Sequence, residues 1–174
     1  MNFITTDKEN MNINFVQSEN IKEYKPVLET LVEDFKYIFY SAILYWCRII
    51  RDKDSEVEFW QIWLIKDDDE VVGICGLYSM RPDTEELWLG WFGVIPSRRK
   101  EGIGIKALDF LSNKAKGLNC KKILSYVNKD GVPLPFYEKY GFKVIGRVKD
   151  YLKTHPEKIN EFEDEEDYII EKEI

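Results

Sequence analysis

The chain has 174 residues, a formal net charge of −7, 44% apolar residues and 33% charged ones. That length suits one domain with a sizeable core, and the acidic balance argues against general nucleic-acid binding and accommodates a cationic acceptor. A single histidine, His155, and three scattered cysteines, Cys47, Cys75 and Cys120, exclude Cys/His zinc centres, Ser-His-Asp triads and a disulfide framework, and fit a reducing cytoplasm.

In chain order, MNFITTDKENMN lacks both a basic n-region and an apolar h-region, so residues 1–12 read as a flexible segment and 13–174 as a single domain. INFVQ (13–17) alternates like a strand, and Ser18 to Asn20 offer helix-capping groups. From Ile21 to Ile50 the spacing is helical, with a break expected near Tyr37–Ser41. The apolar stretch YIFYSAILYWC (37–47) is too short to span a bilayer, and no membrane partner is expected. FWQIWLIK (59–66), the turn DDDE (67–70) and VVGICGLYSM (71–80) form a hairpin, and RPDTE leads into a third strand, ELWLGWFGV (86–94). Ile103, Ala107, Phe110, Leu111 and Ala115 make a helical stripe closed by Gly117. KKILSYVN (121–128) reads as a strand, PFYEKYG (135–141) as a short helix, and FKVIGRVKDY (142–151) and DYIIEKEI (167–174) as strands. The layout is mixed α/β.

The join between the third strand and the next helix, GVIPSRRKEGIGIKAL (93–108), carries a proline, three consecutive cations and two close glycines. The first N–H groups of a helix lack internal partners and sit at the positive end of its dipole. Gly102 and Gly104 would clear room for an anion to reach those groups, and Arg99 would add charge-assisted hydrogen bonds. Each glycine would cost roughly 1 kcal/mol against alanine as an ordinary helix residue, which favours that use; a plain helix start with solvated cations is the rival reading.

Val94-x-Pro96-x-x-Arg99-x-x-Gly102-x-Gly104, between an apolar strand and an amphipathic helix, resembles the acetyl-CoA motif of the GNAT superfamily of N-acetyltransferases. FYEKYGF (136–142) resembles a second family segment, and the element order fits the same fold. The resemblance implies a GNAT-like fold: a central, mostly antiparallel sheet of about seven strands flanked by about four helices. It implies that backbone N–H groups of Arg99, Lys100, Glu101, Gly102, Ile103 and Gly104 hold the CoA pyrophosphate. Arg98 is either a source of long-range attraction or a solvated charge. Strand 86–94 would part from strand 121–128, with pantetheine pairing near Phe92 and Val94. Trp91 would lie beside the cofactor, and Asn128 resembles an asparagine that meets the pantetheine, though Pro133 and Pro135 lengthen and stiffen the loop that follows.

Tyr137 is the residue the motif implies as general acid toward the departing thiolate; the alternative is that it packs. Trp88 occupies the position where some relatives carry a basic glutamate, and Glu86, two residues earlier on the same strand face, is the candidate general base, the alternative being an exposed strand-end carboxylate. Glu101 also reads as a first-turn charge favouring the helix dipole. EFEDEED (161–167) either borders the acceptor site or is a solvated turn, and Tyr37, Tyr40, Trp46 and the surrounding helix either line the acceptor pocket or fill the core. The implied activity is direct transfer of acetyl from acetyl-CoA, without a metal, to a primary amine of a small molecule or peptide, by a cytoplasmic monomer or homodimer. A non-catalytic acyl-CoA-sensing module is the rival function.

Overall fold

The computed structural model describes residues 11–18, 20–35, 59–79, 85–129, 133–156, 162 and 164–174, with backbone alone at 21, 32–35, 59 and 60. The elements run β1 (Ile13–Val16), α1 (Ile21–Phe35), β2 (Phe59–Asp67), β3 (Glu70–Ser79), β4 (Glu86–Val94), a 3-10 turn (Pro96–Arg98), α2 (Ile103–Gly117), β5 (Lys122–Val127), α3 (Leu134–Lys139), β6 (Lys143–Arg147), α4 (Val148–Tyr151) and β7 (Tyr168–Glu173). The strands form one 7-stranded sheet in the order β1-β2-β3-β4-β5-β7-β6. Every neighbouring pair is antiparallel except β4 and β5, which run parallel. This is the mixed, mostly antiparallel architecture expected. Among the described residues, no helix is long and apolar enough to cross a membrane.

Strand alternation divides the core between the two sheet faces. Trp63, Ile65, Cys75, Leu77, Leu87 and Leu89 meet the α2 stripe of Ile103, Ala107, Leu108, Leu111 and Ala115. On the other face, Ile62, Leu64 and Ile74 receive Tyr24, Val27, Leu28 and Leu31 of α1. Further along that face, Trp88, Leu124 and Ile169 close over Val148 of α4. Full burial of each Leu or Ile is worth about 1.5–3 kcal/mol relative to exposure. Phe110, at the margin of the α2 stripe, stacks on Phe15 of β1 at 4.1 Å.

Local signals explain the start of α1 and the end of α2. Asn20 Oδ1 accepts the Lys22 N–H at 3.1 Å and caps α1. At the end of α2 the left-handed residue is Asn119, at φ 62°, two positions beyond the expected Gly117. The Cys120 N–H donates to Ala115 and the Asn119 N–H to Lys116, which satisfies the last carbonyls of the helix.

One expected strand is corrected. FKVIGRVKDY does not continue as a strand to Tyr151; β6 ends at Arg147 and α4 begins at Val148. The cause is tertiary: Val148 is fully buried, and its N–H donates to the Asp167 carbonyl at 2.9 Å. Asn12, placed by sequence in the flexible segment, is anchored by Asp67 and Asp68. The second helix expected beyond Tyr37 lies outside the described residues, as do Tyr40, Tyr45, Trp46 and Cys47.

Candidate active site: a parted strand pair and an open helix start

β4 and β5 are in register only at Glu86–Lys122, Leu87–Ile123 and Trp88–Leu124. Beyond Trp88 the two strands part, as expected, and β5 continues in pairing with β7. A β-bulge explains the parting. The β3–β4 register passes from Gly76–Gly90 to Ile74–Gly93, so Trp91 and Phe92 together oppose Cys75. A bulge bends its strand and increases the local twist. Trp91 takes φ 48°, a left-handed conformation costing a non-glycine residue roughly 1–2 kcal/mol. Its ring packs with the α1 cluster, where a Cβ on Gly76 would come within 2.8 Å of it. The Phe92 ring faces the other way, its centroid 6.1 Å from both Phe136 and Tyr137 of α3.

The end of β4 turns polar backbone into the gap. The Ile95 N–H donates to Val72 at 2.9 Å, which makes Val94–Gly73 a non-hydrogen-bonded pair. In such a pair each residue's own N–H and C=O point away from the partner strand, here toward β5. Arg99 reaches back to this point, and its Nε donates to the Val94 carbonyl at 2.8 Å.

The loop from Lys100 to Gly104 is an open cradle. Lys100 (φ 66°) and Gly102 (φ 87°) both adopt left-handed backbone, and Gly102 is the N-cap of α2 with no side-chain cap. The N–H groups of Lys100, Glu101, Gly102, Ile103 and Gly104 donate to no acceptor among the described residues. Alternating conformations of this kind make a concave nest of donors, here at the positive end of a helix. A Cβ on Gly102 would meet nothing within 4 Å, whereas a Cβ on Gly104 would lie 3.1 Å from Cζ of Phe136. Gly104 therefore also lets α3 pack against the start of α2.

The cations of the loop separate by role. Lys100 is exposed, but Arg98 is drawn to three carboxylates: Asp67 and Glu70 at 2.6 Å and Glu101 at 2.9 Å. The hydrogen bond from Arg98 is the main reason the Asp67 carboxyl is held below its ordinary range. Lys149 does the same for Glu166, and Lys153 for Asp150. A carboxyl whose folded pKa is depressed binds fewer protons in the fold than in the unfolded chain. Its contribution is present above the ordinary value near pH 4 and is lost as pH falls through the depressed value. The melting temperature should therefore hold from neutrality to about pH 5 and fall below about pH 4, and Asp67→Asn should flatten part of that fall in a thermal-melt series.

Tyr137 is buried, only 7% exposed, among Phe92, Phe136 and Phe142. Burial pushes its phenol pKa upward, and its hydroxyl has no hydrogen-bond partner among the described residues. Asn128 is exposed just past β5, on the opposite bank of the gap from Val94. Glu86 stands at the joined end of β4, where its carboxylate pairs with Lys122 at 3.0 Å and Lys122 also pairs with Glu171. The acidic stretch is structured where it is described. The carbonyls of Glu165 and Asp167 accept N–H groups of α4, and Glu166 holds Arg147 and Lys149.

Sequence reasoning missed the bulge at Trp91, the contact of Phe136 with Gly104, and the Asp67 and Glu70 partners of Arg98. The run Gly90-Trp91-Phe92-Gly93 held a signal for the first, since two adjacent aromatics between glycines break strict alternation. Among the described residues, no group of His, Cys, Asp and Glu is arranged to hold a metal ion.

Solved structures of other proteins share this fold. The PaiA N-acetyltransferase of Thermoplasma acidophilum, solved with coenzyme A, superposes with a TM-score of 0.64 at 19% identity, over 94% of this chain and 100% of that one. The IAA acetyltransferase of Bacillus cereus gives 0.63 at 22% identity, over 93% and 98%. N-acetylglutamate synthase of Neisseria gonorrhoeae, solved with coenzyme A and N-acetyl-glutamate, gives 0.64 at 15% identity, over 94% of this chain and 35% of that one. These likenesses establish the fold. No curated protein sequence matches the chain. The model of the acetyltransferase (GNAT) family matches residues 24–142, a span that takes in the parted strands, the open loop and Tyr137, and the chain belongs to that family.

Proposed function

We propose that the protein is an N-acetyltransferase that binds acetyl-CoA along the β4–β5 gap and acetylates a primary amine by direct attack in a ternary complex. The observation that carries this reading is the run of N–H groups from Lys100 to Gly104 that have no acceptor among the described residues, at the start of a 15-residue helix. A pyrophosphate satisfies those donors and meets the positive end of the helix dipole. The coenzyme A in the Thermoplasma acidophilum and Neisseria gonorrhoeae structures supports the choice of ligand.

Lys100, Glu101 (through its backbone), Gly102, Ile103 and Gly104 form the phosphate cradle on this reading; the Arg99 N–H, expected among the donors, is taken by the Pro96 carbonyl at 3.3 Å, so Arg99 contributes through its side-chain charge. The outward-facing N–H of Val94 donates to a pantetheine carbonyl, Phe92 lies along the arm, and Asn128 borders it from just past β5. Acetyl-CoA, when bound, supplies the thioester that the amine attacks. Tyr137 presents a neutral phenol, because burial raises its pKa and keeps it protonated at neutral pH. That hydroxyl donates a hydrogen bond to the departing sulfur as the carbon–sulfur bond breaks.

The amine must shed a proton. Glu86 stands at the joined end of β4 with its carboxylate on Lys122 at 3.0 Å, so it reaches the gap, which opens beyond Trp88, only through intervening water. Glu86→Gln should therefore lower kcat by less than about fivefold, and a loss approaching a hundredfold would show that Glu86 is the base. The main test is release of free thiol from acetyl-CoA against a broad amine panel. If no amine yields thiol and CoA nonetheless raises the melting temperature, the sensing module replaces the enzyme.

A further inference from the structure

We propose that Arg98 is a positioning residue for the cofactor loop, masking the carboxylates that border the phosphate cradle without itself binding phosphate. The inference rests on the reading of residues 99–104 as the coenzyme A site. In sequence Arg98, Arg99 and Lys100 form one cationic run, but the fold divides them. Arg99 Nε turns to the Val94 carbonyl at the gap. Arg98 turns to the β2–β3 turn, and its side chain is only 18% exposed.

All three guanidinium nitrogens of Arg98 are engaged. Nη2 donates to Asp67 and Nη1 to Glu70, each at 2.6 Å, and Nε donates to Glu101 at 2.9 Å. The planar fork of arginine suits such divided binding, which a lysine point charge cannot reproduce. Asp67 also accepts the Asn12 N–H at 2.9 Å, so one side chain ties the cradle to the β2–β3 turn and to the start of the first strand.

Glu101 gives this arrangement its consequence. Its backbone N–H is one of the cradle's donors, so its carboxylate lies within one side chain's length of any anion bound there. Released from Arg98, that carboxylate would repel the pyrophosphate and compete for the same helix-start N–H groups. Glu70 and Asp67 would add further uncovered negative charge. Arg98 thus keeps an acidic neighbourhood compatible with an anionic ligand.

The test is coenzyme A affinity by calorimetry, taken below the melting transition of each variant. Arg98→Ala should weaken binding by about tenfold or more, and raise KM for acetyl-CoA far more than it lowers kcat. Glu101→Gln alone should tighten binding, by less than the Arg98→Ala loss. The double variant Arg98→Ala/Glu101→Gln should recover most of the affinity. A direct phosphate contact by Arg98, or a purely structural role, predicts that Glu101→Gln leaves the loss unrescued. If Arg98→Ala does not fold, Arg98→Lys with and without Glu101→Gln provides the same comparison, with a smaller loss expected. An unrescued loss, or no loss, overturns the proposal. A wild-type protein that binds no coenzyme A overturns the loop reading instead.

Discussion

Tyr137→Phe is expected to lower kcat by about a hundredfold or more while leaving coenzyme A affinity within about twofold. The exchange removes one oxygen and keeps the ring, so the contacts with Phe136 at 5.2 Å and Phe142 at 5.4 Å survive. The hydroxyl has no partner among the described residues, so its loss breaks no protein hydrogen bond among them, and the melting temperature should move by no more than about 2 °C. The raised pKa also narrows what the phenol does. An ordinary thiol titrates near pH 8.5, well below this phenol, so complete proton transfer to a thiolate runs uphill. Donation of a hydrogen bond within a buried setting remains favourable, and one such donor is worth about a hundredfold to a thousandfold in rate. Single-turnover kinetics beside calorimetry separate the two quantities. An unchanged kcat would return Tyr137 to the role of a packed aromatic.

The elements nearest the site were the most legible. ELWLGWFGV ends its strand where β4 ends, and the proline, cations and glycines after it sit on the open loop they suggested. Both are local: apolar alternation sets the strand, and the glycines remove the side chains that would fill the cradle. What escaped was set by distant contacts. Val148 turns the chain because its N–H finds Asp167, 19 residues on, and because Trp88, Leu124 and Ile169 leave it a buried place. Nothing within FKVIGRVKDY carries that information. Arg98 pairs with Asp67 and Glu70 from 31 and 28 residues away, so a run of cations in sequence reads as exposed charge when one of them is a crosslink. Only its third partner, Glu101 at i+3, was within local reach. The left-handed Trp91 is a further case, since a residue disfavoured at positive φ is held there by packing on both faces of the sheet.

Gly104→Val is expected to weaken coenzyme A binding by at least about thirtyfold and to destabilise the fold by about 1–3 kcal/mol. The two effects share a cause, because a Cβ at this position would sit 3.1 Å from Cζ of Phe136 and 3.9 Å from Cζ of Phe92. Valine's branches would push into the corner where the start of α2, the end of β4 and α3 converge, which is where the cradle meets the gap. Alanine separates the contributions. Its single Cβ asks the Phe136 ring to give by a few tenths of an ångström, while a helix gains about 1 kcal/mol from glycine to alanine. Gly104→Ala should therefore melt within about 3 °C of wild type and still lose coenzyme A affinity severalfold, because the methyl narrows the approach to the Gly104 N–H. Gly102 is the contrast. Open space surrounds its missing Cβ, so Gly102→Ala meets no neighbour and costs only the strain of φ 87°, roughly 1 kcal/mol. Calorimetric titration and thermal melts on the three variants would order affinity by crowding at Gly104, and stability as Gly104→Ala above Gly102→Ala above Gly104→Val. If Gly104→Val binds coenzyme A as tightly as wild type, the approach to the cradle does not pass Gly104, and the pyrophosphate must be placed elsewhere.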